Sequence, residues 1–297
     1  TGYRDRMHTF LQGVVGGGIW RTDDAGQSWR NISDGFLGVG PIGALAVAPT
    51  NSNIVYAGTG SGGVRGNISV GDGVYRTTDD GKTWQNIGLP ESRHINRIQI
   101  HPTDPDRVFV AALGSVFGPS ETRGVYRTTD GGKSWKKVLY VDQGTGAIDL
   151  VMSPDDPNTL YASMWTADRK PWGMFSGSKA GGVFKTTDGG ETWKKLGGGL
   201  PEMIGRTGIA ISPARPDRVW VLLEAEGGLR GLYKSEDRGA TFRQVNGDQN
   251  MMARPWYYTH VDAHPTNPDV VFINNESFFR SDDAGLSLVN VPTPHGD

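Results

Sequence analysis

Residues 73–88 read GVYRTTDDGKTWQNIG, and the chain repeats that stretch as GVYRTTDGGKSWKKVL at 124–139 and as GVFKTTDGGETWKKLG at 182–197. The shared pattern, Ser/Thr-x-Asp-x-Gly-x-Ser/Thr-aromatic, stands at Thr22–Trp29, Thr77–Trp84, Thr128–Trp135, Thr186–Trp193 and Ser235–Phe242. A sixth copy, Ser281–Leu288, has no aromatic at its end. The copies begin 55, 51, 58, 49 and 46 residues apart. An internal period of that size signals an array or propeller of one repeated unit.

Each residue of the pattern has a local job. The residues before it alternate (Val74 and Arg76, Val125 and Arg127, Val183 and Lys185) as a half-buried strand should. The Asp carboxylate can accept from backbone amides of its own turn, Gly supplies a positive φ, and the hydroxyls tie off further turn groups. The closing Trp starts the next strand and is expected to pack sideways. A second signature lies between the copies, as in IHPTDPDRVFVAA (100–112) and ISPARPDRVWVLL (211–223): a strand, a Pro-rich polar turn, then an apolar strand. Together the two signatures give four antiparallel strands per unit, the plan of a propeller blade.

Composition agrees and excludes several classes. Glycine is 44 of 297 residues, about twice the usual ~7%. No stretch shows sustained apolar residues at helical spacing, and none approaches the ~20 apolar residues of a bilayer span. Thirty basic against 32 acidic residues leave a net charge of −2, which argues against a nucleic-acid surface. With no cysteine there is no disulfide frame, thiol nucleophile or thiolate metal site. The acidic repeats lack the bidentate Glu of a calcium loop, so neither a metal nor a cofactor is expected.

The repeat resembles the Asp-box, or BNR repeat, of sialidases, xyloglucan-degrading propeller hydrolases and sortilin-type receptors. Stretches such as GGGIWRTDDAGQSW (16–29) and RPWYYTHVDAHPTNPDVVF (254–272) make the chain look most like large bacterial BNR proteins of glycosyl-hydrolase-like or sortilin-like type. The resemblance implies an all-β β-propeller of about six four-stranded blades. It also implies a secreted or periplasmic location. It does not fix function, because those families use the same hairpin for different ends. The Arg-Ile-Pro segment that sialidases carry before their first repeat is absent, the chain reading TGYRDRM there. Photosystem-biogenesis propellers also share the box, but their basic patch has no counterpart in this charge balance.

One domain over 1–297 is expected, with blades near 1–35, 36–90, 91–141, 142–200, 201–248 and 249–297. The first blade has a second, third and fourth strand but little room for an inner one. The expectation is either a six-blade ring with imperfect closure or, preferably, a piece of a longer array.

Function is sought where the repeats differ, on loops held by the rigid array. Five residues before the Pro that ends each inner strand, the chain carries Ala44, Arg97, Asp149, Gly208 and His260. Arg97, Asp149 and His260 are expected to point toward the axis, as a self-satisfied polar plug or as anion clamp, carboxylate and proton shuttle. Loop 59–72 carries Arg65. Loop 164–181 carries Trp165, Arg169, Trp172 and Phe175. The segment before the last inner strand carries Arg254, Trp256, Tyr257 and Tyr258. Such a rim suits sugar rings or peptide anchors. Glu224 and Glu226 are candidate glycosidase carboxylates, the alternative being a solvated strand end. His101 and His264 are expected to pack their Pro turns.

Two functions follow. One is glycan recognition or processing outside the cell by a glycoside-hydrolase-like propeller, with Asp149, His260 and Glu224 as catalytic candidates and a poly- or oligosaccharide as ligand. The other is a non-catalytic sortilin-like propeller that binds a peptide or protein.

Overall fold

A computed structural model of the chain describes residues 1–293. Its strands form six antiparallel sheets, each a propeller blade. They fall into two compact units, Thr1–Gly62 with Gly66–Ala147, and Gly63–Arg65 with Ile148–Asp297.

In the first unit, one sheet holds β1 (Phe10–Val14), β2 (Gly18–Thr22) and β3 (Arg30–Asn31). The next holds β4 (Ile42–Val47), β5 (Val55–Thr59), β6 (Val74–Thr77) and β7 (Gln85–Asn86). The third holds β8 (Ile95–Ile100), β9 (Val108–Ala112), β10 (Gly124–Thr128) and β11 (Lys136–Leu139). The first blade does lack its inner strand: only Gly2 bridges to Phe10 at that edge.

In the second unit, β12 (Thr145–Met152, which begins at the unit boundary), β13 (Leu160–Lys170), β14 (Gly173–Ser176), β15 (Gly182–Thr186) and β16 (Lys194–Lys195) form a five-stranded sheet. It is followed by β17 (Thr207–Ser212), β18 (Arg215–Leu223), β19 (Gly231–Ser235) and β20 (Arg243–Asn246). The last sheet holds β21 (His260–Ala263), β22 (Val271–Asn274), β23 (Phe278–Ser281) and β24 (Val289–Asn290). One four-residue helix, α1 (Pro255–Tyr258), precedes β21.

Apolar residues of consecutive sheets make the core. Leu11, Ile19, Ile42 and Val55 pack together, as do Tyr56, Val74, Ile98 and Val110. In the second unit Tyr161, Val183, Ile209 and Val221 form one cluster, and Trp220, Leu232, Val261 and Ile273 another.

All six repeats close the same turn. In the second, Thr77 Oγ1 donates to Asp79 Oδ1 at 2.7 Å and accepts from Gly81 N at 3.0 Å. Asp79 in turn accepts from Thr83 N at 2.9 Å and Thr83 Oγ1 at 2.7 Å. Even the Ser281 copy keeps these bonds, so the missing aromatic costs it nothing inside the turn. These donors hold Asp24, Asp79, Asp237 and Asp283 down at about 2, with Asp130 and Asp188 lowered in the same way.

The closing Trp does pack sideways: Trp84 Nε1 donates to Ile32 O and Trp135 Nε1 to Ile87 O, each at 2.9 Å, joining consecutive blades. The basic residue before each box does more than alternate. Arg76 lies across from Tyr56, reaches Asp106 at 2.5 Å and donates to Gly131 O at 3.2 Å in the next box. Lys185 lies across from Tyr161, and both side chains donate to Arg238 O, at 2.8 and 2.7 Å.

One expected loop is a hairpin. Within 164–181, β13 continues to Lys170 and β14 returns along it with Ala167 opposite Ser176 and Lys170 opposite Gly173. The result is a two-stranded extension of the blade with Pro171-Trp172 at its tip.

Candidate functional site

The second unit concentrates its polar chemistry around Glu224, just beyond the end of β18. Glu224 Oε2 accepts from Ser176 Oγ at 2.5 Å and from Arg206 N at 2.9 Å, while Oε1 accepts the Trp256 indole N–H at 2.9 Å. Ser176 in turn accepts the Trp165 indole N–H at 2.9 Å. The Arg206 guanidinium donates to Trp256 O at 2.7 Å and lies 5.7 Å from the Trp165 ring. Gly205 leaves room for this carboxylate, because a Cβ at that position would stand 2.6 Å from Glu224 Cδ.

Beside this carboxylate opens a cavity of about 320 Å³ whose lining includes Ile204, Met252 and Pro255 with Glu224, Glu226 and Arg230. That is near the lower end of small-ligand sites, ~300–1,000 Å³. Met203 in its lining is 49% exposed, and Leu229 and Phe175, each next in sequence to a lining residue, are 54% and 61% exposed; Trp172 at the hairpin tip reaches 80%.

The segment before β21 is pinned from several sides. Asn275 Oδ1 accepts from Arg254 N at 2.9 Å and its amide donates to Tyr258 O at 3.1 Å. Thr259 Oγ1 donates to Pro255 O at 2.6 Å. Arg254 pairs with Glu276 at 3.1 Å. Arg65, which groups with the second unit, donates to Tyr258 Oη at 2.9 Å and lies 5.8 Å from the Tyr257 ring.

The other expected site residues are placed differently. Trp165 is fully buried and does not form part of an exposed rim. Its strand alternation continues past the blade, which turns the side chain inward. Arg169 is half-buried on the hairpin opposite Met174. Asp149 is 5% exposed, and its oxygens accept from Leu150 N and from Ile209 N on β17, each at 2.9 Å, so it clips two sheets together. His260 opens β21, half-buried and opposite Asn274. Arg97 lies on β8 of the first unit and lines a groove of about 710 Å³ with Asn96, Ala44 and Asp5. Glu224 is thus tied to Trp256 and Trp165, and Arg65 to Tyr257 and Tyr258.

Glu224 is not a solvated strand end, and the reason is its three donors. Ser176, Arg206, Gly205 and Asn275 were not legible as site residues in the sequence. Neither Arg206 nor Asn275 stands in a repeated motif. His101 and His264 do cap their turns, accepting from Thr103 N at 3.3 Å and Thr266 N at 3.2 Å. Among the described residues no group of three or more His, Cys, Asp or Glu could hold a metal, and no helix is long and apolar enough to cross a membrane.

Comparison with known proteins gives two lines of likeness. A family model described as "Sortilin, neurotensin receptor 3" matches residues 17–175, and a BNR/Asp-box repeat model matches 184–195. Xyloglucanase Xgh74A of Acetivibrio thermocellus is 24% identical over 315 residues, covering 93% of this chain and 36% of that protein. Vacuolar protein sorting/targeting protein 10 of Sordaria macrospora is 31% identical over 127 residues, 42% of this chain and 8% of that protein. Among solved structures, the Niastella koreensis GH74 enzyme aligns with a TM-score of 0.65 at 22% identity, over 94% of this chain and 42% of its own. YCF48 bound to D1 peptide aligns with a TM-score of 0.60 at 17% identity, over 97% and 80%. The chain is glycoside-hydrolase-like in sequence and blade architecture, and it spans about a third of the length of the xyloglucanase it matches.

Proposed function

The chain belongs to the family of the sortilin, neurotensin receptor 3 model, which matches more than half of it, and on that premise we propose that its second unit is a recognition module for a peptide segment of a protein partner. The observation that carries this reading is the Glu224 cavity, whose lining combines Met203, Ile204, Met252 and Pro255 with Glu224 and Glu226, with Met203 itself 49% exposed. Apolar anchors seated in a pocket with a few placed polar groups are how peptides are held.

The same geometry speaks against acid–base work at these residues. Three donors of the protein itself, from Ser176, Arg206 and Trp256, already engage the Glu224 carboxylate, which makes it an anchor for those groups. Asp149 is spent on two backbone amides. A secreted or periplasmic setting, expected from the repeat family, is part of this reading.

Glycan binding or hydrolysis is the second reading, favoured by the xyloglucanase likeness and by Trp172, a flat ring that a sugar face could stack on. The test is to pan the purified chain against a displayed nonapeptide library and, in parallel, against polysaccharides with reducing-sugar release as readout. Selected peptides whose binding falls in Met203→Ser and Leu229→Ser support peptide recognition. Sugar release, lost in Glu224→Gln, with no peptide enriched, would replace it with the glycosidase.

A further inference from the structure

The Glu224 cavity mixes apolar and acidic groups. Met203, Ile204, Met252 and Pro255 line it together with Ser176. Two carboxylates, Glu224 and the exposed Glu226, share that lining with one cation, Arg230. Arg230 Nε is turned to Gly227 O at 3.3 Å. Glu224 Oε1 accepts only the Trp256 indole N–H, and a carboxylate oxygen has room for a second donor.

A cavity lined by both apolar side chains and two carboxylates complements one kind of side chain. The methylene stem of lysine or arginine lies along apolar surface while its charged head donates hydrogen bonds beyond it. Ammonium and guanidinium donors to carboxylate are among the stronger hydrogen bonds available. An acidic side chain would meet two carboxylates of its own sign, and a neutral amide would bring donors but no charge.

Resting on the peptide reading above, we infer that the cavity is the socket for a single Lys or Arg side chain of the bound peptide. Met203 and Leu229, exposed beside it, take the apolar residues that flank that cation. The family model and the Asp-box turns specify none of this; it rests on which side chains these loops bring together.

The experiment uses five pools of acetylated, amidated nonapeptides with the central residue fixed as Lys, Arg, Gln, Leu or Glu and the other positions randomised. Each pool is measured by fluorescence polarisation at low and high salt. The Lys and Arg pools are expected to bind about tenfold more tightly than the Gln pool, with the gap narrowing as salt screens the charges. Glu226→Gln should shrink the gap, and Glu226→Lys should turn the preference toward the Glu pool. Both changes are at an exposed residue, so the fold is retained even where Glu224 variants disturb the Trp256 segment.

If the Leu or Glu pool binds best, or if neither Glu226 variant alters the preference, the basic socket is wrong while the peptide reading stands. If no pool binds, the peptide reading itself fails. Glucosamine oligosaccharides are run alongside. Their binding with the pools silent would move the cation from a peptide to a glycan and overturn the proposal.

Discussion

The indole N–H of Trp256 donates to Glu224 Oε1 at 2.9 Å, across 32 residues of sequence. That bond joins the end of β18 to the segment before β21, and the Arg206 guanidinium closes the same link through Trp256 O at 2.7 Å. A carboxylate that a motif search reads as a catalytic acid is thereby the anchor of an aromatic segment. Glu224→Leu should leave three donors, from Ser176, Arg206 and Trp256, without their acceptor. Losing such acceptors costs roughly 2 kcal/mol even with partial access to water. Urea unfolding should report that loss, and Trp256 emission should shift to the red as the segment loosens.

The link between Tyr161 and Arg238 gives a second expectation. Tyr161 Oη donates to Arg238 O at 2.7 Å, and Lys185 Nζ donates to the same oxygen at 2.8 Å. Tyr161→Phe keeps the ring and its packing but removes one of the two donors. The expected cost is about 1 kcal/mol. Lys185→Met, which removes the other donor, should cost a similar amount. The double variant should lose more than the sum, because the carbonyl is then left without either partner. A double-mutant cycle in urea measures this coupling.

Acid stability should show two stages. His94 is fully buried, and its imidazole is lowered to about 4, first by burial and then by the Arg93 and Arg123 guanidiniums, with a backbone contact from Ser61 acting the other way. The folded state therefore holds His94 neutral, while the unfolded chain takes up a proton near pH 6.5. Stability from this residue is fully present above that pH and is lost as pH falls from about 6.5 to about 4, by roughly 3 kcal/mol at most. The box carboxylates act later. Asp24, Asp79, Asp237 and Asp283 are held at about 2, so their contribution is complete above pH ~4 and is lost between there and about 2. Denaturation midpoints measured across pH 7 to 2 should fall in both windows, and His94→Phe should shrink the upper one, to which His101, also lowered by burial, contributes, and leave the lower one.

The contrast between boxes and site explains what the sequence disclosed. A box is local: Thr77, Asp79, Gly81 and Thr83 bond within four residues of one another, so spacing alone reveals the turn. Repetition then reveals the blades. Glu224 meets partners 18, 32 and 48 residues away, and no period marks Arg206, Trp256 or Ser176 as neighbours. The β13–β14 hairpin escaped notice because Pro171 and Gly173 read as loop punctuation. In the fold Pro171 and Trp172 make a two-residue tip, and Gly173 opens β14 opposite Lys170. Trp165 drew attention as an aromatic in that supposed loop and is instead core.

Gly205 offers a sharper test of how firmly Glu224 is held. Its φ is not in the left-handed region, so alanine there suffers no backbone strain. The three atoms nearest the added Cβ all belong to Glu224: Oε2, then Cδ at 2.6 Å and Cγ at 2.9 Å. A free glutamate would swing aside at little cost. This one is fixed by Ser176, the Arg206 amide and Trp256, so moving it breaks at least one of those bonds, at ~1 kcal/mol each. Gly205→Ala is therefore expected to destabilise the second unit by about 1–2 kcal/mol and to weaken binding of peptides selected in the panning experiment. Gly228→Ala, where an added Cβ meets nothing within 4 Å, serves as the control and should leave both unchanged. Equal behaviour of the two variants in urea and in peptide binding would show that Glu224 moves freely and that the bonds around it do not define the pocket.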